Sequence, residues 1–411
     1  MKYGVIGERL GHSFSKEIHA EIADYVYEIM EIPKDGVDDF MEKKDFLGIN
    51  VTIPYKEKVM PHLDFISDEA KRIGAVNTVV NRGSKLYGYN TDYEGMRELI
   101  LRVCGDISGK KVLILGNGGT SKTTRFVASD MHAGEIYNVV RTERDGCITY
   151  AEAYFRHTDA DIIINTTPVG MYPNGENEAF DISNFNNLCG VVDAVYNPIR
   201  TRLVMDAAEH GIRAEGGLFM LCAQAVYASA IFKNSKPSTD ITDSVYAKIL
   251  KSKENIVLIG MPSSGKSTAG RKIAEITGKK FVDTDDEFVK MHGDISAYFS
   301  KYGEAEFRKA ESEIIKKFSE KNNLAIATGG GCILSRENMK NLKSNGVIYF
   351  LDRSLENLIP TSDRPLSSDR KSLEKRYSER YPMYIKYADR TVDANGSIAD
   401  IAKEIKGDFF R

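Results

Sequence analysis

Residues 255–267 read Asn255-Ile256-Val257-Leu258-Ile259-Gly260-Met261-Pro262-Ser263-Ser264-Gly265-Lys266-Ser267. The first five form a short apolar run closed by glycine, the pattern of a buried strand. Gly260 to Ser267 then fits GxxxxGK[ST], and a helical stretch follows to Gly278. Strand, glycine loop and helix form the setting in which backbone N–H groups cradle phosphates. Ser263, Ser264, Gly265 and Thr268 complete that cradle, Lys266 reaches the phosphate oxygens, and Ser267 is placed to ligate Mg2+. The loop by itself specifies a nucleotide and leaves the acceptor open.

Similar strand-like runs recur on both sides of this stretch: Tyr3–Ile6, Gly48–Ile53, Lys111–Leu115, Glu135–Val140, Asp161–Asn165, Gly190–Asp193, Leu324–Ala327 and Val347–Leu351. Helical stretches alternate with them. Such alternation predicts an α/β chain with parallel sheets and sites at the carboxyl ends of strands. A polar turn, Asn234 to Asp240, precedes a helix expected at Ile241–Lys251 with Asp240 or Thr239 as its cap. The short connector Ser252–Asn255 marks a domain boundary, and a softer one falls within Arg97–Gly109.

A second glycine turn follows Lys111–Leu115. Gly116-Asn117-Gly118-Gly119 leads into a helix expected from Thr120, the layout of a dinucleotide site with pyrophosphate at the helix N-terminus. A tight strand–helix turn without a ligand reads the same way. The next strand ends in Arg141-Thr142, with Arg144 nearby. An acid there would hold ribose hydroxyls, whereas a basic end suits a 2′-phosphate and hence NADP(H).

The 411 residues predict two or three domains. With 42% hydrophobic and 28% charged residues and a net charge of −3, the composition is ordinary for a globular protein and offers no basic field for nucleic acid or membrane. The longest apolar stretch, Leu218–Phe232, is too short to span a bilayer. The five cysteines show no CxxC spacing and read as reduced thiols of a cytoplasmic protein. The expected partners are small molecules, with no nucleic acid and no membrane; oligomeric state is not legible.

Several polar loops precede the dinucleotide turn: residues 11–15 (GHSFS), 50–56 (NVTIPYK), 74–78 (GAVNT) and 88–92 (GYNTD). Together they supply hydroxyls, amides, one lysine and one aspartate, a donor set that suits a polyhydroxylated carboxylate. With Asp193-Ala194-Val195-Tyr196-Asn197-Pro198, Thr201 and the stretch Gly217 to Gln224, residues 1–251 resemble shikimate dehydrogenase. That resemblance implies Ser13 and Ser15 on the substrate carboxylate, and Thr52, Asn77, Asn90, Tyr196 and Gln224 in the substrate pocket. It implies Lys56 and Asp92 as the catalytic pair, and Gly116, Gly118, Gly119, Arg141, Thr142 and Gly217 around NADP. A partly desolvated lysine held by an aspartate can give a proton to the carbonyl oxygen while the cofactor supplies hydride; which of the pair moves the proton stays open at this level, and a surface salt bridge is the plain alternative. Lys16, Val140 and Ala225 depart from the usual Pro, Asn and Gly.

Residues 253–411 resemble shikimate kinase through the phosphate loop, Asp283-Thr284-Asp285, Phe307-Arg308-Lys309-Ala310-Glu311, Gly329-Gly330-Gly331, Arg364-Pro365-Leu366 and Arg380 ahead of Pro382-Met383-Tyr384. That resemblance implies ATP with Mg2+ near Ser267 and Asp283, Asp285 on the acceptor hydroxyls, and Lys266 on the phosphates. It also implies Arg308 and Arg380 on the acceptor carboxylate, Gly329–Gly331 lining the acceptor, and Arg364 on a lid over ATP. Asn357 stands where a further lid arginine is usual, and Arg353 is the candidate replacement.

The expected architecture is therefore a substrate domain (1–100, with helices of 223–251 packing back on it), a Rossmann-like NADP domain (101–222), and a P-loop, nucleoside-monophosphate-kinase-like domain (253–411). The implied function is reduction of 3-dehydroshikimate to shikimate, then phosphorylation of shikimate to shikimate 3-phosphate. A quinate-using dehydrogenase fused to the kinase, or one inactive domain kept as a binding module, are the competing readings.

Overall fold

The computed structural model describes residues 2–8, 10–11, 14–358 and 370–411. Ser13 and Arg364 lie outside the described residues. The chain divides into two compact units, residues 1–249 and 250–411.

The first unit opens with β1 (Tyr3–Gly7), α1 (Ser15–Ile22), β2 (Tyr27–Glu31), α2 (Val37–Lys43), β3 (Gly48–Val51), β4 (Phe65–Ile66), α3 (Asp68–Ile73), β5 (Thr78–Arg82) and β6 (Lys85–Tyr89). Their strands form one sheet in the order β2-β1-β3-β5-β6-β4. The sheet is mixed rather than all parallel, because β5 pairs antiparallel with both β3 and β6. Gly83 and Ser84 both have positive φ and close the β5–β6 hairpin, the conformation a two-residue type I′ turn requires.

A long helix, α4 (Thr91–Cys104), leads into β7 (Lys111–Leu115), α5 (Gly119–Asp130), β8 (Glu135–Val140), β9 (Ile148–Thr149), α6 (Tyr150–Arg156), β10 (Ile162–Asn165), β11 (Gly190–Asp193), α7 (Arg202–Glu209) and β12 (Arg213–Glu215). This second sheet is parallel in the order β12-β11-β10-β7-β8-β9. Strand order reverses between β7 and β10, so the crevice for a ligand opens where the Gly116 turn begins. Val112 and Ile114 of β7 enter one core with Met96, Leu99 and Phe219, while Leu113 and Leu115 enter another with Phe180 and Leu203. Burial on both faces explains why the strand reads as an unbroken apolar run. α8 (Leu218–Lys233) returns to the first sheet, where the Phe232 ring lies 5.4 Å from that of Tyr3.

α9 runs from Thr239 to Lys253, two residues longer at each end than the sequence predicts. The Ser238 carbonyl already accepts from the Thr242 N–H, so Thr239 and Asp240 are inside the helix instead of capping it. Its last turn belongs with the second unit: buried Lys279 donates to the carbonyls of Lys251 (2.9 Å) and Glu254 (2.7 Å).

The second unit contains β13 (Asn255–Ile259), α10 (Lys266–Thr277), β14 (Lys280–Asp283), α11 (Thr284–His292), α12 (Ile295–Ser319), β15 (Leu324–Ala327), α13 (Arg336–Asn345), β16 (Gly346–Asp352), α14 (Arg370–Tyr387), β17 (Arg390–Asp393) and α15 (Ile398–Phe409). Its sheet is parallel in the order β14-β15-β13-β16-β17, with β13 at the centre. The loops after β13, β14 and β15 therefore meet at one end. Among the described residues, no helix is long and apolar enough to cross a membrane.

Candidate active sites

In the first unit, Lys56 and Asp92 meet with Nζ 2.5 Å from Oδ2, both side chains mostly shielded from solvent. Asp92 sits in the first turn of α4, where the helix dipole favours a carboxylate. Asn90 caps that helix: its Oδ1 accepts from the Tyr93 N–H (3.3 Å) and its Nδ2 donates to the Ala75 carbonyl (2.9 Å). Asn90 is thereby tied to the backbone that presents Asp92. Buried Asn77 accepts the Thr91 N–H at 2.7 Å, and the Thr91 hydroxyl lies 3.4 Å from Oε1 of Gln224 on α8. Thr52 follows β3, its N–H on the Ile6 carbonyl. The Tyr196 ring meets Phe14 edge-on at 5.4 Å, which brings the loop after β11 against the start of α1 at Ser15. Gly217 caps α8, and a Cβ there would lie 2.2 Å from the Ala194 carbonyl oxygen. Only glycine lets that helix begin so close to the end of β11.

The dinucleotide turn is held from below by residues that sequence reading passed over. Asn138 of β8 donates to the Gly116 carbonyl (3.0 Å) and to Ser121 Oγ (2.5 Å), and Ser121 donates to the same carbonyl at 2.8 Å. α5 begins one residue earlier than expected, at Gly119, with Gly118 as its cap and no side chain on its first amides. Those N–H groups suit a phosphate. Arg141 and Thr142 are exposed at the end of β8.

Asp193 is fully buried at the end of β11 and accepts from Thr201 Oγ1 (2.7 Å), Asn165 Nδ2 (2.9 Å) and the Val195 N–H (2.9 Å). All three donors are neutral, so burial dominates and pushes the carboxyl from 3.8 up to about 7. The folded state then holds a proton that the unfolded chain has released between these two values. Its stabilising contribution is complete below pH 3.8 and is lost as pH rises through about 7. We expect the stability of the native enzyme relative to Asp193→Asn to fall across that window in chemical denaturation. A difference that stays flat or rises with pH would contradict the assignment.

In the second unit, one cleft of about 290 Å³ is lined by Ser263, Gly265, Lys266, Ser267, Thr268, Asp283, Asp285, Thr328 and Gly330. Lys266 folds over the loop, donating to the carbonyls of Gly260 (2.9 Å) and Met261 (2.8 Å). Asp283 caps α11 through Oδ1, which accepts the N–H groups of Asp285 and Asp286. Ser267 and Asp283 offer oxygen ligands in the same cleft, the donor type a hard cation prefers. Arg308 donates to buried Glu311 (2.8 Å) and lies against Gly331, where a Cβ would stand 2.3 Å from Nη1. A Cβ on Gly329 would stand 2.7 Å from Oδ1 of Asp285 and 2.8 Å from Oε1 of Glu311. The glycine run thus lets backbone pass between two carboxylates and a guanidinium. Burial raises the Glu311 carboxyl, with Arg308 opposing the shift. Arg380, also buried, donates to the Gly330 carbonyl at 3.0 Å, and the Tyr384 hydroxyl reaches the same oxygen at 2.6 Å. Glu311, Tyr384 and Thr284, whose hydroxyl accepts the Gly329 N–H, complete this site. The sequence carried all three inside or beside its motifs; Arg308 and Glu311 stand at helical i,i+3 spacing, while nothing in the spacing announced the partners of Tyr384 and Thr284. Asn357 is bound to Ser354 and Asn395, while Arg353 Nη1 lies 3.9 Å from the Cβ position of Gly265.

Fold and sites define a dinucleotide-dependent reductase followed by a P-loop phosphotransferase. Family models match at residues 5–79, as the shikimate dehydrogenase substrate binding domain, and at residues 262–408, as shikimate kinase. The NADP(+) shikimate dehydrogenase of Clostridium perfringens strain SM101 is 37% identical over 265 residues, covering 60% of this chain and 97% of that one. Shikimate dehydrogenase 1 of Peptoclostridium difficile is similar in structure, with 36% identity, TM-score 0.55, and 61% and 98% of the two chains covered. The Thermus thermophilus enzyme, solved with NADP(H) and shikimate, gives 27% identity, TM-score 0.54, and coverage of 60% and 99%. The chain belongs to the shikimate dehydrogenase family and carries a shikimate kinase domain after the dehydrogenase.

Proposed function

We propose that this chain performs two successive steps: reduction of 3-dehydroshikimate to shikimate with NADPH, then transfer of the ATP γ-phosphoryl group to shikimate. The observation that carries this reading is the presence of two equipped sites in one chain, the Lys56–Asp92 pair and the phosphate-loop cleft lined by Lys266, Ser267, Asp283 and Asp285. Residues 1–100 act as the substrate domain and 101–222 as the NADP domain, with α8 and α9 returning to the first. The five free cysteines suit a cytoplasmic enzyme.

In the reductase, Ser13 and Ser15 hold the substrate carboxylate, and Thr52, Asn77, Tyr196 and Gln224 bind and orient its ring. Asn90 acts by fixing the start of α4. Lys56, held by Asp92, gives its proton to the C3 oxygen as that oxygen gains negative charge. NADPH supplies the hydride; Gly116, Gly118, Gly119, Thr142 and Gly217 hold it, with Arg141 on the 2′-phosphate. In the kinase, Gly260, Ser263, Ser264, Gly265, Thr268 and Arg364 hold ATP, and Ser267 and Asp283 would hold Mg2+, which neutralises phosphate charge. Lys266 turns from the loop carbonyls to the phosphates. Arg308 and Arg380 clamp the carboxylate, the Gly329–Gly331 backbone lines the acceptor, and Asp285 orients the attacking hydroxyl and takes up its proton.

Two assays on the purified chain test the reading: NADPH oxidation with 3-dehydroshikimate, and ADP release with shikimate. Absence of either activity removes that half of it. Arg141→Ala is expected to raise KM for NADPH several-fold while leaving KM for NADH nearly unchanged, since only the former carries a 2′-phosphate. Equal changes for both cofactors would refute the role of Arg141.

A further inference from the structure

Asn77 of the reductase site is fixed by a buried chain of hydrogen bonds that starts on β2, at the far edge of the first sheet. The Tyr27 hydroxyl donates to Asn50 Oδ1 at 2.7 Å. Asn50 Nδ2 donates to Thr78 Oγ1 at 3.0 Å and to the Asn77 backbone carbonyl at 3.3 Å. Thr78 Oγ1 in turn donates to Asn77 Oδ1 at 3.0 Å. Tyr27, Asn50, Asn77, Thr78 and Thr91 are all at least nine-tenths buried.

The direction of this chain follows from the groups at its ends. A carbonyl only accepts, so the Asn77 backbone oxygen forces Nδ2 of Asn50 toward it, and Oδ1 toward Tyr27. Thr78 Oγ1, accepting from Asn50, has one proton to give, and Asn77 Oδ1 at 3.0 Å and Thr91 Oγ1 at 3.1 Å both stand within reach of it. A backbone N–H only donates, and that of Thr91 reaches the same Oδ1 at 2.7 Å. Oδ1 is thus fixed as an acceptor, met by that N–H and by the hydroxyls of Thr78 and Thr91, the latter at 3.2 Å. The Thr91 hydroxyl also lies 3.4 Å from Oε1 of Gln224, and the Nδ2 group of Asn77 is left to donate elsewhere. No charge enters the chain to reverse it. The His19 ring, stacked on Tyr27 at 3.8 Å, is held neutral by burial, its pKa lowered to about 3.

We infer that Asn50 and Thr78 are positioning residues of the reductase, which lock Asn77 as a hydrogen-bond donor to the hydroxylated substrate. The inference rests on the reading of Asn77 as a substrate-binding residue. Steady-state kinetics of shikimate oxidation by the full chain test it. Thr78→Val keeps shape and removes the hydroxyl, and should raise KM for shikimate about 5- to 10-fold, the scale of one hydrogen bond. KM for NADP+ and the kinase activity should not change, and Thr78→Ser should restore KM. If Thr78→Val does not accumulate as folded protein, Thr78→Cys, a weak donor of similar size, should show a smaller rise in the same KM. An unchanged shikimate KM, a parallel rise in both KM values, or failure of Thr78→Ser to restore KM would overturn the inference. Asn77→Ala separates the two levels: if it leaves shikimate KM unchanged, the site reading itself fails.

Discussion

Lys56→Ala is expected to lower kcat for 3-dehydroshikimate reduction by about 10²-fold or more, the scale of a lost acid–base group. Phosphorylation of shikimate by the same chain should stay at the native rate, because distant sites contribute independently. Lys56 lies against Asp92 with 27% of its side chain exposed, enough for a substrate to reach it. Removing the lysine leaves Asp92 at the start of α4, where the dipole and solvent still support its charge. The fold should therefore survive, and KM for NADPH should move little. A Lys56→Ala enzyme that reduces dehydroshikimate at the native rate would show that the proton comes from elsewhere.

Arg308→Ala should raise KM for shikimate in the kinase reaction about 30-fold or more and leave KM for ATP nearly unchanged. Truncating a buried, charge-paired contact costs about 2–5 kcal/mol, and each 1.4 kcal/mol is a factor of about ten. The same carboxylate held by a serine hydroxyl is worth less, so Ser15→Ala should weaken the reductase by roughly tenfold or less. Arg308→Ala also leaves Glu311, only 5% exposed, without its cation. Its carboxyl is already raised by burial and would rise further, so some loss of thermal stability should accompany the KM effect. The unchanged ATP KM separates local loss of the clamp from general damage. A rise in ATP KM with shikimate KM unchanged would move Arg308 to the nucleotide and reopen the identity of the acceptor.

The sequence exposed these sites unevenly, for physical reasons. Lys111–Leu115 and Asn255–Ile259 were legible to the residue because parallel strands buried on both faces carry apolar side chains at nearly every position. The β5–β6 hairpin was not, although Gly83-Ser84 is its turn. Its strands carry polar Asn81, Arg82 and Lys85 around the turn, the last two exposed, and their ends, Thr78 and Tyr89, fall inside stretches that read as polar loops. Residues proposed to touch ligand stood out because phosphate and carboxylate chemistry demands particular side chains at particular spacings. Residues that hold those side chains did not. Asn138, Tyr384 and, through Asn50, Thr78 meet partners far along the chain, so short-range spacing carries no trace of those pairings, whereas Arg308 and Glu311 pair at helical i,i+3 spacing.

One chain is proposed to make shikimate at one site and to consume it at another. The most direct test of this proposal supplies 3-dehydroshikimate, NADPH, ATP and Mg2+ to the purified chain and follows NADPH oxidation and ADP release together. We expect ADP to appear only when NADPH is present, to approach one equivalent per NADPH oxidised, and to form about 10²-fold or more slowly in Lys56→Ala unless shikimate is added. ADP released from dehydroshikimate without NADPH, or NADPH oxidised with no phosphorylated product, would contradict it.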